Sequence, residues 1–209
     1  MNNLRAAGYR PEQVDEIYIT HLGPDHVGGL TVGTERAFPN AWLRTPKAEV
    51  DFFLDPVKAA STLSKTPDKD RPQAKSYFDF LRSLFEPYIS AGKFQSFDGD
   101  ITLVPGVHAL ATHGHTPGHT SYIVENRGQT LIVIGDVVIM GALQFATPSL
   151  GSSADADPKA AAEQRLRIFK MAADNDYWLA GGHISFPGIG HVRFRQDRYW
   201  WSPANYTIP

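Results

Sequence analysis

The sequence predicts an α/β fold, on three observations. β-branched and aromatic runs are bounded by turn residues, longer segments carry helical apolar spacing, and histidines gather in loops that follow strands. Residues 11–16 read as the end of a helix and a turn. The β-rich run 17–20 that follows is a strand, delivering His21 into a loop of Gly, Pro and Asp. A second short strand spans 41–44, and segments 47–54 and 73–89 have the spacing of helices. Between those helices, 61–71 is rich in Ser, Thr, Pro, Lys and Asp and is expected to be a surface loop. From Ile101 the character changes: 101–104, 107–111, 120–124 and 130–134 read as successive strands of one sheet, separated by Gly, Pro or Asn turns. Asp157-Pro158 marks a helix start, with an N-cap and Pro at the first position, and the alanine-rich run through Met171 sustains it. A last strand, 177–180, leads into Gly181-Gly182-His183. No linker or repeat interrupts the chain, so residues 1–209 are read as a single domain.

Composition narrows the function classes. Apolar residues make up 42% and charged residues 20% of the chain, ordinary globular usage. The formal charge of -2 and the scattered Lys and Arg offer no field for a phosphate backbone, so nucleic acid is not an expected partner. No run approaches the roughly 18 apolar residues that span a bilayer, and the first residues do not begin a secretory signal. A soluble chain, cytoplasmic or periplasmic, without a membrane partner is expected. Zero cysteines exclude disulfides, a cysteine nucleophile and thiolate metal sites, leaving His, Asp, Glu or water for any metal.

The eight histidines are unevenly placed. His21 and His26 share one loop, His113, His115 and His119 a second, and His183 and His191 a third, while His108 falls inside a predicted strand. Loops at one edge of a rigid sheet are a common way to present metal ligands. Imidazole and carboxylate suit borderline metals such as zinc. A carboxylate can bridge two ions, whose shared hydroxide becomes a nucleophile near neutral pH. Asp136, in Ile134-Gly135-Asp136 at the end of an apolar strand, could supply that carboxylate.

Thr20-His21-Leu22-Gly23-Pro24-Asp25-His26-Val27-Gly28-Gly29 resembles the His-x-His-x-Asp-His signature of the metallo-β-lactamase-fold hydrolases, with Gly23 at the second ligand position. Gly114-His115-Thr116-Pro117-Gly118-His119 resembles the family's next motif, Asp136 matches its bridging aspartate, and the segment from Gly182 through Gly190 is similar to the final-ligand segment of the branch with methyl parathion hydrolases and lactonases. The resemblance implies a four-layer αββα sandwich, shortened at the N-terminus because only 20 residues precede His21. The shortened start has three readings, a truncated sequence, a domain completed by another chain or a natural minimal form; under the first, exposed sheet edges and an uncovered apolar face favour association, so a homo-oligomer is expected, and a stable compact monomer in size-exclusion chromatography would be the contrary result.

The same resemblance implies two divalent ions, with zinc as the expected metal. His21, His115 and Asp136 would hold the first; Asp25, His26, Asp136 and His183 would hold the second; and His119 would support the centre from outside it. Asp25 and Asp136 are its catalytic carboxylates. With glycine at 23 the first ion is expected to bind more weakly, so that the isolated protein carries one metal. An aromatic at the position of Phe53 would line the substrate pocket, although the helical spacing of Phe52, Phe53, Tyr77, Phe78, Phe80 and Phe85 equally describes a core.

The competing account gives these residues separate hydrogen-bonding roles, Asp25 capping a helix. It requires four motif-like segments to arise in family order independently. His108 and His191 belong with structural residues, and His113 is a candidate substitute for the missing ligand. The implied function is a metal-dependent hydrolase that cleaves a small-molecule ester, lactone or organophosphate triester with metal-activated hydroxide. A thioester or phosphodiester hydrolase of the same fold is one alternative, and a catalytically impaired metal-binding or assembly protein is another.

Overall fold

Two short helical pieces, α1 (Asn2–Ala6) and a 3-10 turn at Pro11–Gln13, precede the first strand in the computed structural model, which describes residues 2–205. The chain divides between Asp98 and Gly99 into two units.

In the first unit, β1 (Glu16–Tyr18) ends just before the His21 loop, and α2 (Pro24–Val27) starts with Gly23 as N-cap and proline at its first position. A small hairpin follows, β2 (Thr31–Val32) with β3 (Glu35–Arg36). Strand β4 (Trp42–Pro46) lies between β1 and β5 (Phe94–Phe97), and all three are parallel. Helix α3 (Lys47–Glu49) runs into a π-helical turn, Val50–Leu54, so the helix predicted at 47–54 is present with a changed winding.

The surface loop expected at 61–71 is corrected in part, because α4 (Pro56–Lys65) occupies its first half. Asp55 caps that helix, accepting from the amides of Val57 at 2.8 Å and Lys58 at 2.9 Å. The Ser and Thr that suggested a loop are absorbed by the helix backbone, with Thr62 Oγ1 donating to Lys58 O at 3.0 Å and Ser64 Oγ to Ser61 O at 2.7 Å. Only a short turn remains before α5 (Arg71–Ser90). On α5, Phe78, Leu81, Phe85 and Tyr88 recur at three- and four-residue spacing and are buried in a core that includes Ile19, Leu22 and Leu43. The Tyr88 hydroxyl donates to Leu30 O at 2.9 Å, satisfying its buried oxygen.

The second unit is built on a seven-stranded sheet of β6 (Ile101–Val104), β7 (Val107–Ala111), β8 (Thr120–Asn126), β9 (Gln129–Val133), β10 (Trp178–Ala180), β11 (Ile189–Arg195) and β12 (Arg198–Pro203), in the order 12-11-10-9-8-7-6. Only β9 and β10 are parallel, joined by a crossover that contains the short α6 (Gly141–Gln144) and α7 (Pro158–Asn175). Asp157 caps α7 as expected, accepting from Lys159 N at 3.1 Å and Ala160 N at 3.0 Å. The buried face of α7 carries Ile168, Phe169 and Ala172, which join Ile132, Leu179 and Val192 of the sheet in the second core.

Register decides where loops emerge. Ala111 pairs with Thr120, Tyr122 with Val133, and Val133 with Ala180, so the β7–β8 connection and the C-terminal ends of β9 and β10 share one edge of the sheet. His191, expected in a loop with His183, instead sits on β11 opposite Trp178, at the other end of β10. The β11–β12 hairpin turns through Gln196 and Asp197, both at positive φ, a geometry usually signalled by Asn-Gly rather than by this pair. Among the described residues no helix is long and apolar enough to cross a membrane.

Candidate metal centre

In the first unit, residues 19–23 leave β1 and carry His21 into a buried position, 1% exposed. Buried Glu49 accepts from the amide of Leu22 at 2.9 Å and the Tyr77 hydroxyl donates to the Leu22 carbonyl at 3.3 Å, which pins the loop between its histidine and its glycine. Burial first, then the negative charges of Glu49 and Asp25, push the Tyr77 phenol up. Asp25 and His26 lie within α2, whose N-cap is Gly23, so Asp25 stands inside the first turn and not at the capping position.

The rings of His21 and His26 are 4.3 Å apart between centroids, and His26 Nε2 lies 3.5 Å from Asp25 Oδ2. A Cβ added at Gly23 would fall 2.7 Å from His21 Nε2, 3.1 Å from His26 Cδ2 and 3.2 Å from Asp25 Oδ1. Position 23 therefore directs its side-chain vector among these donors, and glycine lets the His21 ring tip approach closer than a Cβ would allow.

In the second unit, the shared sheet edge brings His115, Asp136 and His183 together. His115 Nε2 is 3.2 Å and His183 Nε2 is 3.5 Å from the same oxygen, Asp136 Oδ2. His115 is oriented by Asp155, whose Oδ1 lies 3.0 Å from Nδ1 and whose Oδ2 accepts from Ser152 N at 2.9 Å. An Nδ1–H donated to Asp155 leaves the Nε2 lone pair facing the Asp136 carboxylate. Gly114, at φ +143°, lets this loop abut α7, where a Cβ would come within 2.2 Å of Ala161 N. Asp157 N and Ala156 N then bond to the carbonyls of Gly114 and His115 at 2.8 and 3.0 Å.

His119 bonds the backbone of Asp136. Its Nε2 accepts from the Asp136 amide at 2.9 Å, so Nδ1 carries the proton and donates to Thr112 Oγ1 at 2.8 Å, which in turn contacts Ser121 Oγ at 3.0 Å. Arg165, fully buried on α7, donates through Nε to Val137 O at 2.7 Å and through Nη1 to Pro148 O at 2.7 Å and Leu150 O at 2.9 Å. Burial pulls its pKa down, opposed by the charge of Asp155. Gln144 Oε1 accepts from Ile139 N at 2.9 Å and Met140 N at 3.0 Å, bracing the chain just after Asp136.

Phe53 is 7% exposed, its ring packed against Phe52 at 4.7 Å and Phe78 at 6.1 Å in the first core. His108 bonds Thr102 at 2.8 Å on the sheet, and His191 lies 3.1 Å from Asp176, both away from the strand ends that carry His115, Asp136 and His183. His113 is exposed. Sequence reading missed Asp155, Glu49, Arg165 and Gln144. Asp155 stands two residues before the α7 cap and 40 from His115, so no local spacing links the pair.

The donor set fits a divalent metal. Two ligands at about 2.0–2.1 Å from a tetrahedral ion stand about 3.3 Å apart, and the imidazole–carboxylate separations of 3.2, 3.5 and 3.5 Å bracket that spacing.

The chain resembles known proteins along nearly its whole length. A solved structure described as the hydrolase AbOPH in the beta-lactamase superfamily is 36% identical, with a TM-score of 0.90 over 99% of this chain and 70% of that one. AidC, described as a dizinc quorum-quenching lactonase, shares the fold at a TM-score of 0.82 and 24% identity over 99% of this chain and 70% of its own. An N-acyl homoserine lactonase from a Bacillus species is 29% identical over 136 residues, 64% of this chain and 43% of the relative, so the match spans less than half of that relative's length. The metallo-beta-lactamase superfamily model matches residues 2–183, which include the loop histidines, Asp25 and Asp136. Together with the fold, that match establishes that the chain belongs to the metallo-beta-lactamase superfamily.

Proposed function

We propose that the protein is a divalent-metal-dependent hydrolase of lactones or organophosphate triesters, with N-acyl homoserine lactones the first substrates to try. The observation that carries this reading is the pair of imidazoles meeting one oxygen of Asp136 at strand ends, His115 at 3.2 Å and His183 at 3.5 Å. The curated lactonase relative and the 36% identical hydrolase support the choice of reaction.

In this reading His21, His115 and Asp136 hold one ion, and Asp25, His26, Asp136 and His183 hold the other, zinc being favoured by the donor set. When bound, the ions polarise the carbonyl or phosphoryl oxygen and bring the pKa of water toward neutrality. The chain's own residues do the positioning. Asp155 fixes the His115 tautomer, and His119 holds the Asp136 backbone, so the carboxylate is aimed before substrate arrives. Phe53, 7% exposed, is proposed to border the substrate pocket from the first core.

The test is elemental analysis of protein purified without chelator, with lactone and aryl phosphotriester assays before and after metal addition. Bound metal and restorable turnover are expected; absence of metal overturns the site. Gly23→His adds a donor where the Cβ vector already points among His21, His26 and Asp25, at the cost of a small shift of the His21 ring tip. It should raise retained metal after dialysis from about one toward two per chain, a gain in first-ion affinity of about 10- to 100-fold by analogy with lost support around metal ligands. Unchanged metal content would show that position 23 does not serve the centre.

A further inference from the structure

Two side chains of the second unit, Gln144 at the end of α6 and Arg165 on α7, are fully buried and lie outside the proposed ligand sets. Gln144 Oε1 accepts from the amides of Ile139 and Met140 at 2.9 and 3.0 Å, on the chain that follows Asp136. Its Nε2 donates to Leu150 O at 3.1 Å, and Arg165 Nη1 donates to that same carbonyl at 2.9 Å. Leu150 leads into the turn that carries Asp155, where Ser152 N donates to Asp155 Oδ2 at 2.9 Å and Asp155 N to Ser152 O at 3.1 Å. That turn sets Asp155 Oδ1 3.0 Å from His115 Nδ1, while His115 Nε2 stands 3.2 Å from Asp136. A closed circuit results, from Asp136 along the chain to Gln144, across to Leu150, on to Asp155 and back through His115.

Residues 145–157 form neither helix nor strand, so individual bonds rather than a ladder fix where Asp155 falls. The far end of the turn is held by Ala156 N and Asp157 N on the carbonyls of His115 and Gly114, and the near end at Leu150 by Gln144 and Arg165. A guanidinium has donors only, and Arg165 spends them on carbonyls. A carboxamide is donor and acceptor at once, so of the two side chains only Gln144 bonds amides after Asp136 and a carbonyl before Asp155. Resting on the metal-centre reading above, we propose that Gln144 is a positioning residue of that centre. It locks the Asp155 turn to the chain after Asp136, which keeps His115 Nε2 aimed at Asp136 before a metal arrives. Cutting the link frees the Asp155 carboxylate to move off Nδ1, and because Arg165 still holds Leu150 O, the cost in metal affinity is about tenfold, the low end for lost support around a ligand.

The test follows zinc affinity, by competition with a chelator, in Gln144→Met, Gln144→Glu, Asp155→Asn and the two double variants. In the metal-free protein the His115 tautomer is read separately by heteronuclear NMR of labelled histidine, and denaturant unfolding reports stability. Gln144→Met removes both sides of the link, whereas Gln144→Glu keeps the acceptor for Ile139 and Met140 and loses the donor to Leu150. Either variant is expected to weaken zinc about tenfold and to erode the Nδ1–H tautomer of His115. In an Asp155→Asn background the zinc loss should shrink to within about twofold, because residues that act through one another are not additive. A purely structural glutamine would lower unfolding stability, leave the tautomer unchanged and keep its zinc loss in the Asp155→Asn background; that result overturns the proposal. Gln144→Glu with wild-type zinc affinity and tautomer overturns it too, since the bond to Leu150 then carries nothing. If Gln144→Met does not fold, Gln144→Glu supplies the same comparison. A wild type that binds no zinc overturns the metal-centre reading, and the His115 tautomer in the metal-free variants then decides the Gln144 link on its own.

Discussion

Asp136→Asn is expected to lose bound divalent metal and to reduce turnover by well over about 100-fold, more than loss of a supporting residue around a metal ligand produces. The carboxylate is 4% exposed, its Oδ2 faces both His115 and His183, and the two proposed ligand sets share it. Asparagine keeps the size and leaves the backbone bond to His119 intact, so the fold should persist while the charge that balances the ions is lost. Asp155→Asn is the graded companion. It leaves every proposed ligand in place but exchanges a carboxylate for an amide opposite His115 Nδ1, and should cost about 10- to 100-fold in metal affinity. Elemental analysis and competition with a chelator measure both variants, with thermal unfolding as the check on folding. Full metal retention by Asp136→Asn would remove Asp136 from the centre.

Arg165→Met is expected to destabilise the second unit by about 2–4 kcal/mol, on the scale of about 1–3 kcal/mol for a buried acceptor left unsatisfied and less for part-buried ones. Three backbone carbonyls, of Val137, Pro148 and Leu150, accept from this guanidinium; methionine would take the donor from the buried Val137 bond and the two part-buried ones, Leu150 O keeping Gln144 Nε2 at 3.1 Å. Lysine keeps the charge but lacks the planar fork that reaches three acceptors at once, so Arg165→Lys should recover only part of the loss. Because Val137 follows Asp136 directly, both variants should also loosen the metal. Denaturant unfolding read by tryptophan fluorescence gives the stability change, and a midpoint equal to the wild type would assign the three bonds no net weight.

These two residues mark the difference between what was legible in the chain and what was not. The strand read at 107–111 coincides with β7, the Asp157 cap opens α7, and the helix read at 73–89 falls inside Arg71–Ser90. Caps, turns and apolar periodicity are interactions over a few residues, so they are written in consecutive letters. The order of the His21, His115, Asp136 and His183 segments was legible for a similar reason, since each is a short stretch whose residue types carry the chemistry.

The helix α4 was read as a loop because its Ser and Thr are ambiguous until their hydroxyls find Lys58 O and Ser61 O. His191 was grouped with His183 by proximity in the chain, whereas sheet register separates them by the length of β10. Asp155 and Arg165 act across 40 and up to 28 residues on His115 and Val137, distances at which local pattern carries no information. The sequence alone thus determined the family and the strand-and-helix framework, and it nominated the histidines and carboxylates proposed as ligands. Tertiary structure decided which carboxylate orients His115, where the buried guanidinium spends its hydrogen bonds, and that Gln144 bonds both the chain after Asp136 and Leu150, because those depend on surfaces brought together only by sheet register and helix packing.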